Sequence, residues 1–190
     1  MYRELDERFL NRRWQRPDGK YMQVARAFQD SGGHASEIVH KMVKRRARVL
    51  WAYRGSGDLL GPWKRGHDAL THTRLIQGNA NHLKEMLAAK LDIVSPGPGY
   101  IHFPVNAEAG FDEEFFRQLL SERREKRMRN GIMSVRWVQT RERNEALDLV
   151  CIILCCALTY REAIDTMEAA GGLPPSPAIC LQISRMISSC

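Results

Sequence analysis

Apolar residues recur along this chain with two periods, one helical and one strand-like, and the two alternate. Over residues 4–14 the spacing is helical, with Leu5, Phe9 and Leu10 inward and Arg8, Arg12 and Arg13 outward. Pro17-Asp18-Gly19 marks a turn. Residues 21–28 then alternate as a strand, with Met22, Val24 and Phe28 on one face. Asp30 closes that strand, and Ser31-Gly32-Gly33-His34 turns the chain. A second helix is predicted over residues 35–47, with Ile38, Met42 and Val43 as its inner stripe. Residues 49–53, Val-Leu-Trp-Ala-Tyr, are apolar without alternation, as in a central strand. Residues 54–73 have the glycine-rich composition of a loop. A brief strand over 74–77 leads to a helix capped by Asn79 or Asn81 and running to Leu91, with Leu83, Met86, Leu87 and Leu91 inward. Ser95-Pro96-Gly97-Pro98-Gly99 is a rigid turn before a short strand at 100–103. A helix over 111–124 carries Phe115, Phe116, Leu119 and Leu120, and a strand follows over 133–138. Asn144 is placed to cap a very apolar helix to Leu158, and a last helix is predicted over 160–170. Strands alternating with helices imply an α/β domain over residues 1–170, a mixed sheet with helices on its faces. The segment 171–190, rich in Gly, Pro and Ser, reads as a loosely held tail.

Charge adds a direction to this picture. The chain of 190 residues is 44% hydrophobic, enough for a core, and carries a formal charge of +7. A basic surface favours an acidic partner, of which nucleic acid is the commonest. The cations gather in two runs. Lys41, Lys44, Arg45, Arg46 and Arg48 lie on the outer face and end of the second helix, and Arg123, Arg124, Lys126 and Arg127 follow the fourth. Each run reads equally as a solvated face and as a phosphate-contacting patch. No Walker phosphate loop occurs, so an ATPase motor is not encoded here. No stretch has the length of a membrane span, and the charged start is no secretory signal. Cys151, Cys155 and Cys156 share one apolar helix without a zinc-binding pattern, and read as free thiols of a reducing cytosol.

The candidate chemistry lies in three carboxylates. Glu145 and Asp148 stand at i and i+3, one turn apart on one helix face. Alone, they read as acids complementing the positive end of a helix dipole. Asp30 changes the weighing, because a strand-end carboxylate facing a helix-start pair is what a divalent-metal nuclease needs. His34 could assist such a site, and His102 reads as a core or hydrogen-bonded histidine.

Four stretches together resemble the nuclease part of the large terminase subunit of lambda-type tailed phages. They are Gln29-Asp30-Ser31-Gly32-Gly33-His34, Gly97-Pro98-Gly99-Tyr100-Ile101-His102-Phe103-Pro104, Phe115-Phe116-Arg117-Gln118-Leu119 and Arg143-Asn144-Glu145-Ala146-Leu147-Asp148. The resemblance implies an RNase H-like fold and an endonuclease that cuts concatemeric viral DNA into genome lengths. It implies Mg²⁺ or Mn²⁺, two ions in the intact domain, with Asp30, Glu145 and Asp148 as catalytic and metal-binding residues. It implies double-stranded DNA, the small terminase subunit and the portal as partners, no membrane, and the cytoplasm of a bacterial host. By the same resemblance a first strand with its own aspartate, and an ATPase domain, are expected ahead of Met1. Slow or absent cleavage by this chain alone follows. The alternative is a non-catalytic module that binds DNA or packaging partners and cuts nothing.

Overall fold

The computed structural model describes residues 2–33, 36–57, 59–105 and 107–170. Helix α1 (Tyr2–Leu5) runs on into a wider turn over Asp6–Leu10 and stops there, four residues short of the expected end. The remainder is drawn into a hairpin, because Pro17-Asp18-Gly19 turns tightly enough to pair β1 (Arg13–Gln15) with β2 (Tyr21–Gln23). Gly19 takes φ +79 in that turn, and Arg16 N–H donates to Lys20 O at 2.8 Å. The single strand expected over 21–28 is therefore broken, and β3 (Ala27–Asp30) begins afresh. Arg26, between them, turns inward. It donates to Thr159 O at 2.7 Å and lies 4.3 Å over the Trp51 ring.

Helix α2 (Ser36–Arg45) buries Val39, His40, Met42 and Val43. Met42 and Val43 are inward as expected, whereas Ile38 is 44% exposed and Val39 takes its place. Strand β4 (Leu50–Ser56) follows. It pairs in parallel with β3 on one side and with β6 (Arg74–Asn79) on the other, as its unbroken apolar run requires. The presumed loop 54–73 contains β5 (Trp63–His67), which pairs antiparallel with β6 and completes a mixed sheet of order β3-β4-β6-β5. Period two then divides the side chains. Leu50, Ala52 and Leu75 face α2 and the N-terminal helix, while Trp51, Tyr53 and Ile76 face the other layer.

That second layer holds α3 (Ala80–Leu91), α4 (Glu113–Leu119) and α5 (Glu145–Ala169). Asn79 caps α3 by accepting from His82 N–H at 3.1 Å, and Leu83 and Leu87 are buried. Residues 100–103 form no strand. Ile101 and Phe103 instead pack as irregular chain on the core, Phe103 edge-on to Phe111, Phe115 and Phe116, while His102 is exposed against Tyr100. Helix α4 is shorter than expected, and the basic run belongs to β7 (Glu122–Arg129), paired with β8 (Ile132–Gln139). The turn is Asn130-Gly131, both at positive φ (51 and 75), a pair that favours two-residue hairpins. The two helices expected after Asn144 are one. Thr159 does not break α5, because its hydroxyl donates to Cys156 O at 2.8 Å. Cys151, Cys155 and Cys156 are buried free thiols, each pushed up to about 12 by burial. Among the described residues no helix is long and apolar enough to cross a membrane. His34 and the segment 171–190 lie outside the described residues.

Gly78 of β6 makes room for the Tyr53 ring, which a Cβ at that position would overlap. Gly78→Ala is expected to cost roughly 1–3 kcal/mol as an overpacked core site, read as a lower urea midpoint at unchanged slope. An unchanged midpoint would show that the ring has space to move.

Candidate active site

Asp30 is the last residue of β3, and its Oδ1 accepts from Gly32 N–H at 2.9 Å. That bond curls the chain away from the sheet edge, and a side chain at Gly32 would crowd the same oxygen, with its Cβ 3.2 Å away. Ser31 fixes the turn from below: its N–H and its hydroxyl both donate to Tyr53 O, each at 2.8 Å. Asp30, Ser31, Gly32, Gly33, Ser36, Arg54 and Gly55 line an open cleft at this edge.

The start of α5 approaches from the second layer. Its first turn carries Glu145 and Asp148; both keep surface in contact with solvent, Asp148 with more protein packed around its carboxyl. The Asp148 carboxyl lies above the usual range, chiefly because its surroundings desolvate it. Lys84 opposes the shift, and Glu122, Asp30 and Glu145 add to it. Tyr53, beneath both elements, is likewise pushed up, first by burial and among smaller causes by Asp30 and Asp148. Asp30 and Asp148 thus both act on the phenol of Tyr53, and Asp30 and Glu145 both act on Asp148.

Two further side chains join this group, and the sequence pattern does not single them out. Glu122, the first residue of β7, is nearly enclosed, with 7% of its side chain exposed, and Lys84 of α3 is at 12%. The Lys84 ammonium lies 2.7 Å from both Glu122 oxygens. Asn144, expected as an N-cap, makes no capping bond and donates instead to Glu122 Oε1 at 3.2 Å. Lys84 follows the buried Leu83 and reads as an outward position, and Glu122 was assigned to a helix. The strand that brings them together is signalled only by Asn130-Gly131.

A second polar group lies under the cleft. His40, 3% exposed, places Nδ1 2.6 Å from Thr73 Oγ1 and Nε2 3.6 Å from Asp68 Oδ2. Thr71, through its N–H and hydroxyl, holds Asp68 down to about 2. Asp68 in turn faces the Arg54 guanidinium at 3.4 Å.

The carboxylates are oxygen donors of the kind hard divalent cations take, so the donor chemistry fits Mg²⁺ or Mn²⁺. The spacing is wider than a closed ligand set: among the described residues no group of three or more His, Cys, Asp or Glu is arranged to hold a metal ion.

The cationic residues separate into two places. Helix α2 begins at the cleft with Ser36 and runs back toward the start of β4, so its last turn lies about 15 Å away at the opposite sheet edge. There Lys44, Arg45 and Arg48 are exposed, while Lys41 pairs with Glu37 at 2.6 Å. Arg46 is engaged by both oxygens of Asp6, at 2.7 and 2.6 Å, fastening α2 to the N-terminal helix. The β7 run starts beside Asp148. Lys126 is exposed there, Arg124 pairs with Glu85 at 2.8 Å, and Arg123 and Arg127 flank Glu125.

The family model described as "Terminase large subunit gpA, endonuclease domain" matches residues 2–166. The chain is similar to a curated protein, the "Terminase, large subunit" of Escherichia phage lambda, at 27% identity over 158 residues, 78% of this chain and 24% of that protein. It thus spans under a quarter of the relative's length. No solved structure matches.

The raised Asp148 carboxyl has a consequence for stability. A folded value above the unfolded one means that ionisation favours unfolding. The penalty is complete above the folded value and disappears as pH falls below the unfolded one. Asp148→Asn is expected to melt higher than the parent at pH 7 and to lose that advantage by about pH 3, below the ordinary aspartate value. Equal melting temperatures across the range would show that Asp148 is not crowded.

Proposed function

The chain belongs to the endonuclease-domain family of the gpA-type terminase large subunit, and from that premise we propose that it is the DNA-cutting part of a packaging terminase, a divalent-metal-dependent endonuclease. The observation that supports this reading is that α5, which opens with Glu145 and Asp148, packs against β3, which ends at Asp30, with Asp30 and Glu145 both raising the Asp148 carboxyl. Two elements far apart in sequence bring like charges to one place despite mutual repulsion, which a cation site requires and a stability role does not.

In this reading Asp30, Asp148 and Glu145 would be the oxygen donors for Mg²⁺ or Mn²⁺, and such an ion would supply activation of water and charge neutralisation at a phosphodiester. The protein's own groups position the DNA. Gly32 N–H keeps the Asp30 carboxylate turned to the cleft. Arg54 offers a guanidinium to a backbone phosphate on the α2 side of the same cleft. The β7–β8 hairpin carries cations outward from beside Asp148 and contacts the duplex backbone without reading sequence. The sheet, with an acidic strand end meeting an acidic helix start, is read as RNase H-like. Concatemeric viral DNA is the substrate, the small terminase subunit and the portal are the partners, and the bacterial cytoplasm is the place of action.

A plasmid-nicking assay tests the chemistry. Slow nicking that requires Mn²⁺ or Mg²⁺ is expected, with a loss of at least about a hundredfold in Asp30→Asn and in Glu145→Ala while DNA binding is retained. Absence of nicking by a protein that still binds DNA would favour a non-catalytic assembly module.

Binding itself should fall steeply with salt, since phosphate contacts release counterions. Replacing Arg123, Arg124, Lys126 and Arg127 with Glu is expected to weaken it and flatten the salt dependence. The same change at Lys44, Arg45 and Arg48 should act less, because those residues stand at the far sheet edge. The reverse ranking, in filter binding at several salt concentrations, would move the DNA to the α2 side.

A further inference from the structure

Helix α2 and the turn before β6 enclose a histidine that the carboxylate site does not use. His40 is 3% exposed, and its Nε2 is a buried nitrogen with no hydrogen-bond partner among the described residues. The neighbouring hydrogen bonds fix where its proton sits. Asp68 is ionised, its carboxyl held down to about 2, so it only accepts. The Thr71 hydroxyl donates to Asp68 Oδ1 at 2.8 Å and has no second proton to give. Thr73 Oγ1 lies 2.9 Å from Thr71 Oγ1, so Thr73 is the donor of that pair. The Thr73 oxygen is then free to accept, and His40 Nδ1, 2.6 Å away, donates to it. In the neutral ring Nε2 therefore carries only a lone pair. It lies 3.6 Å from Asp68 Oδ2, acceptor against acceptor. A buried acceptor without a donor is destabilising, and a second proton, on Nε2, turns this contact into an ion pair.

The same oxygen has another claimant. The Arg54 guanidinium lies 3.4 Å from Asp68 Oδ2, at the long end of hydrogen-bonding range. The Arg54 side chain is 42% exposed, and Arg54 lines the cleft that also contains Asp30. One carboxylate oxygen thus stands between a buried ring and a cleft arginine. The other charges on the elements packed here are engaged elsewhere or exposed. Asp30, at the end of β3, acts on Tyr53 and Asp148 in the other layer. On α2 itself Glu37 and Lys41 pair with each other, and Lys44 and Arg45 are exposed. Asp6 of the N-terminal helix is taken by Arg46, and His72 and Arg74, on either side of Thr73, are exposed.

Resting on the DNA-cutting reading above, we propose that Asp68 and His40 are positioning residues for Arg54, the phosphate-binding arginine of the cleft. Neutral His40 leaves Asp68 Oδ2 to Arg54, and the guanidinium is held back. When Nε2 takes a proton from solvent, the imidazolium claims that oxygen and Arg54 is released to a DNA phosphate with its charge undivided. No covalent bond changes. Linkage works in both directions: DNA held by Arg54 favours the proton on His40, and the proton favours DNA. The cleft therefore grips DNA more firmly as pH falls, and histidine is the side chain suited to do this near neutral pH.

The test is DNA binding by the whole chain, read by fluorescence anisotropy of a short labelled duplex in EDTA, so that no cutting intervenes. Measurements at about pH 7.5 and about pH 5.5 bracket the ordinary histidine value. Exposed histidines add a pH dependence of their own, which the variants share. His40→Asn keeps a donor for Thr73 but takes no second proton. The parent is expected to gain affinity on acidification by about fivefold more than His40→Asn does. Arg54→Met should bind more weakly than the parent at the lower pH and show the same small pH dependence as His40→Asn. Equal pH dependence in the parent and a folded His40→Asn protein overturns the proposal, and so does a parent-like pH dependence in Arg54→Met. Should His40→Asn fail to fold, Arg54→Met, altered at a half-exposed side chain, decides alone. Nicking with Mn²⁺ separates the two readings. If the parent nicks DNA but neither variant changes the pH dependence of binding, the positioning role is lost and the nuclease stands. If the variants behave as expected and no nicking is found, the arginine grip stands and the nuclease reading is lost. A parent that binds no duplex at either pH overturns both.

Discussion

The arrangement depends on one packing contact, the Tyr53 ring against the bare backbone of Gly78. Strands β4 and β6 are neighbours, and Tyr53 lies across β6 only because Gly78 has no side chain. The ring fills the space between sheet and α5, where Ile76, Leu83, Leu87, Leu147 and Cys151 close around it. Its hydroxyl end lies over Gly78, and Asp30 and Asp148 both act on it. Hydrophobic burial supplies the energy for seating α5, and Tyr53 sets the height at which it sits. α5 packs against β3, and Asp30 and Asp148 act on one another as like charges.

The opposition is contained by distributing the charges unequally. Asp30 stays open to solvent and satisfies one oxygen on Gly32 N–H. Glu145 is exposed at the positive end of a helix dipole. Glu122 is enclosed and neutralised by Lys84. Asp148 has no ion pair among the described residues, and its carboxyl is raised by desolvation and by its acidic neighbours. The Asp68 group on the other face shows the contrast. It has Thr71 donors, Arg54 and His40 around it, and its carboxyl is held low. One carboxyl is surrounded by donors and cations and is held low; the other is desolvated among like charges and is raised.

Whether a feature could be read from the sequence followed its range. The β4 run, the turn at Pro17-Asp18-Gly19, the Asn79 cap and the inner Leu83 and Leu87 are signalled by neighbours in the chain, and each is found in the structure. The three carboxylates were legible as types at element ends, and Asp30 does close β3 while Glu145 and Asp148 open α5. Long-range choices were not legible. Residues 63–67 pair because β6 offers an edge, although their composition is that of a loop. Residues 13–15 leave a helical pattern because a hairpin is available to them. Glu122 looks like one more charge in a basic run until β7 turns it toward Lys84, which is 38 positions away. Asn144 was expected to serve its own helix, and a buried carboxylate across the fold outcompetes the first-turn amides for it.

The two basic regions illustrate the same point about charge. On the α2 side the cations close a helix C-terminus and one of them, Arg46, is spent on Asp6. That pattern is complete without a ligand. On the β7 side Glu125 partly neutralises Arg123 and Arg127, while Lys126 projects without such a neighbour in contact. The opposite strand adds exposed Met133 and Val135, with Met128 beside them on β7. A hairpin exposing both apolar and cationic side chains gains little from folding, since a two-stranded ribbon is marginally stable by itself. It is anchored at its base, where Thr140 N–H donates to Ser121 O at 2.7 Å and Glu122 meets Lys84. Anchoring a ribbon at the acidic site and leaving its cations outside places positive charge along the path by which a polyanion would enter. An electrostatic funnel of this kind raises the local concentration of DNA without fixing its sequence. The acids at the base, which alone would repel the same polyanion, are offset in part by Lys84.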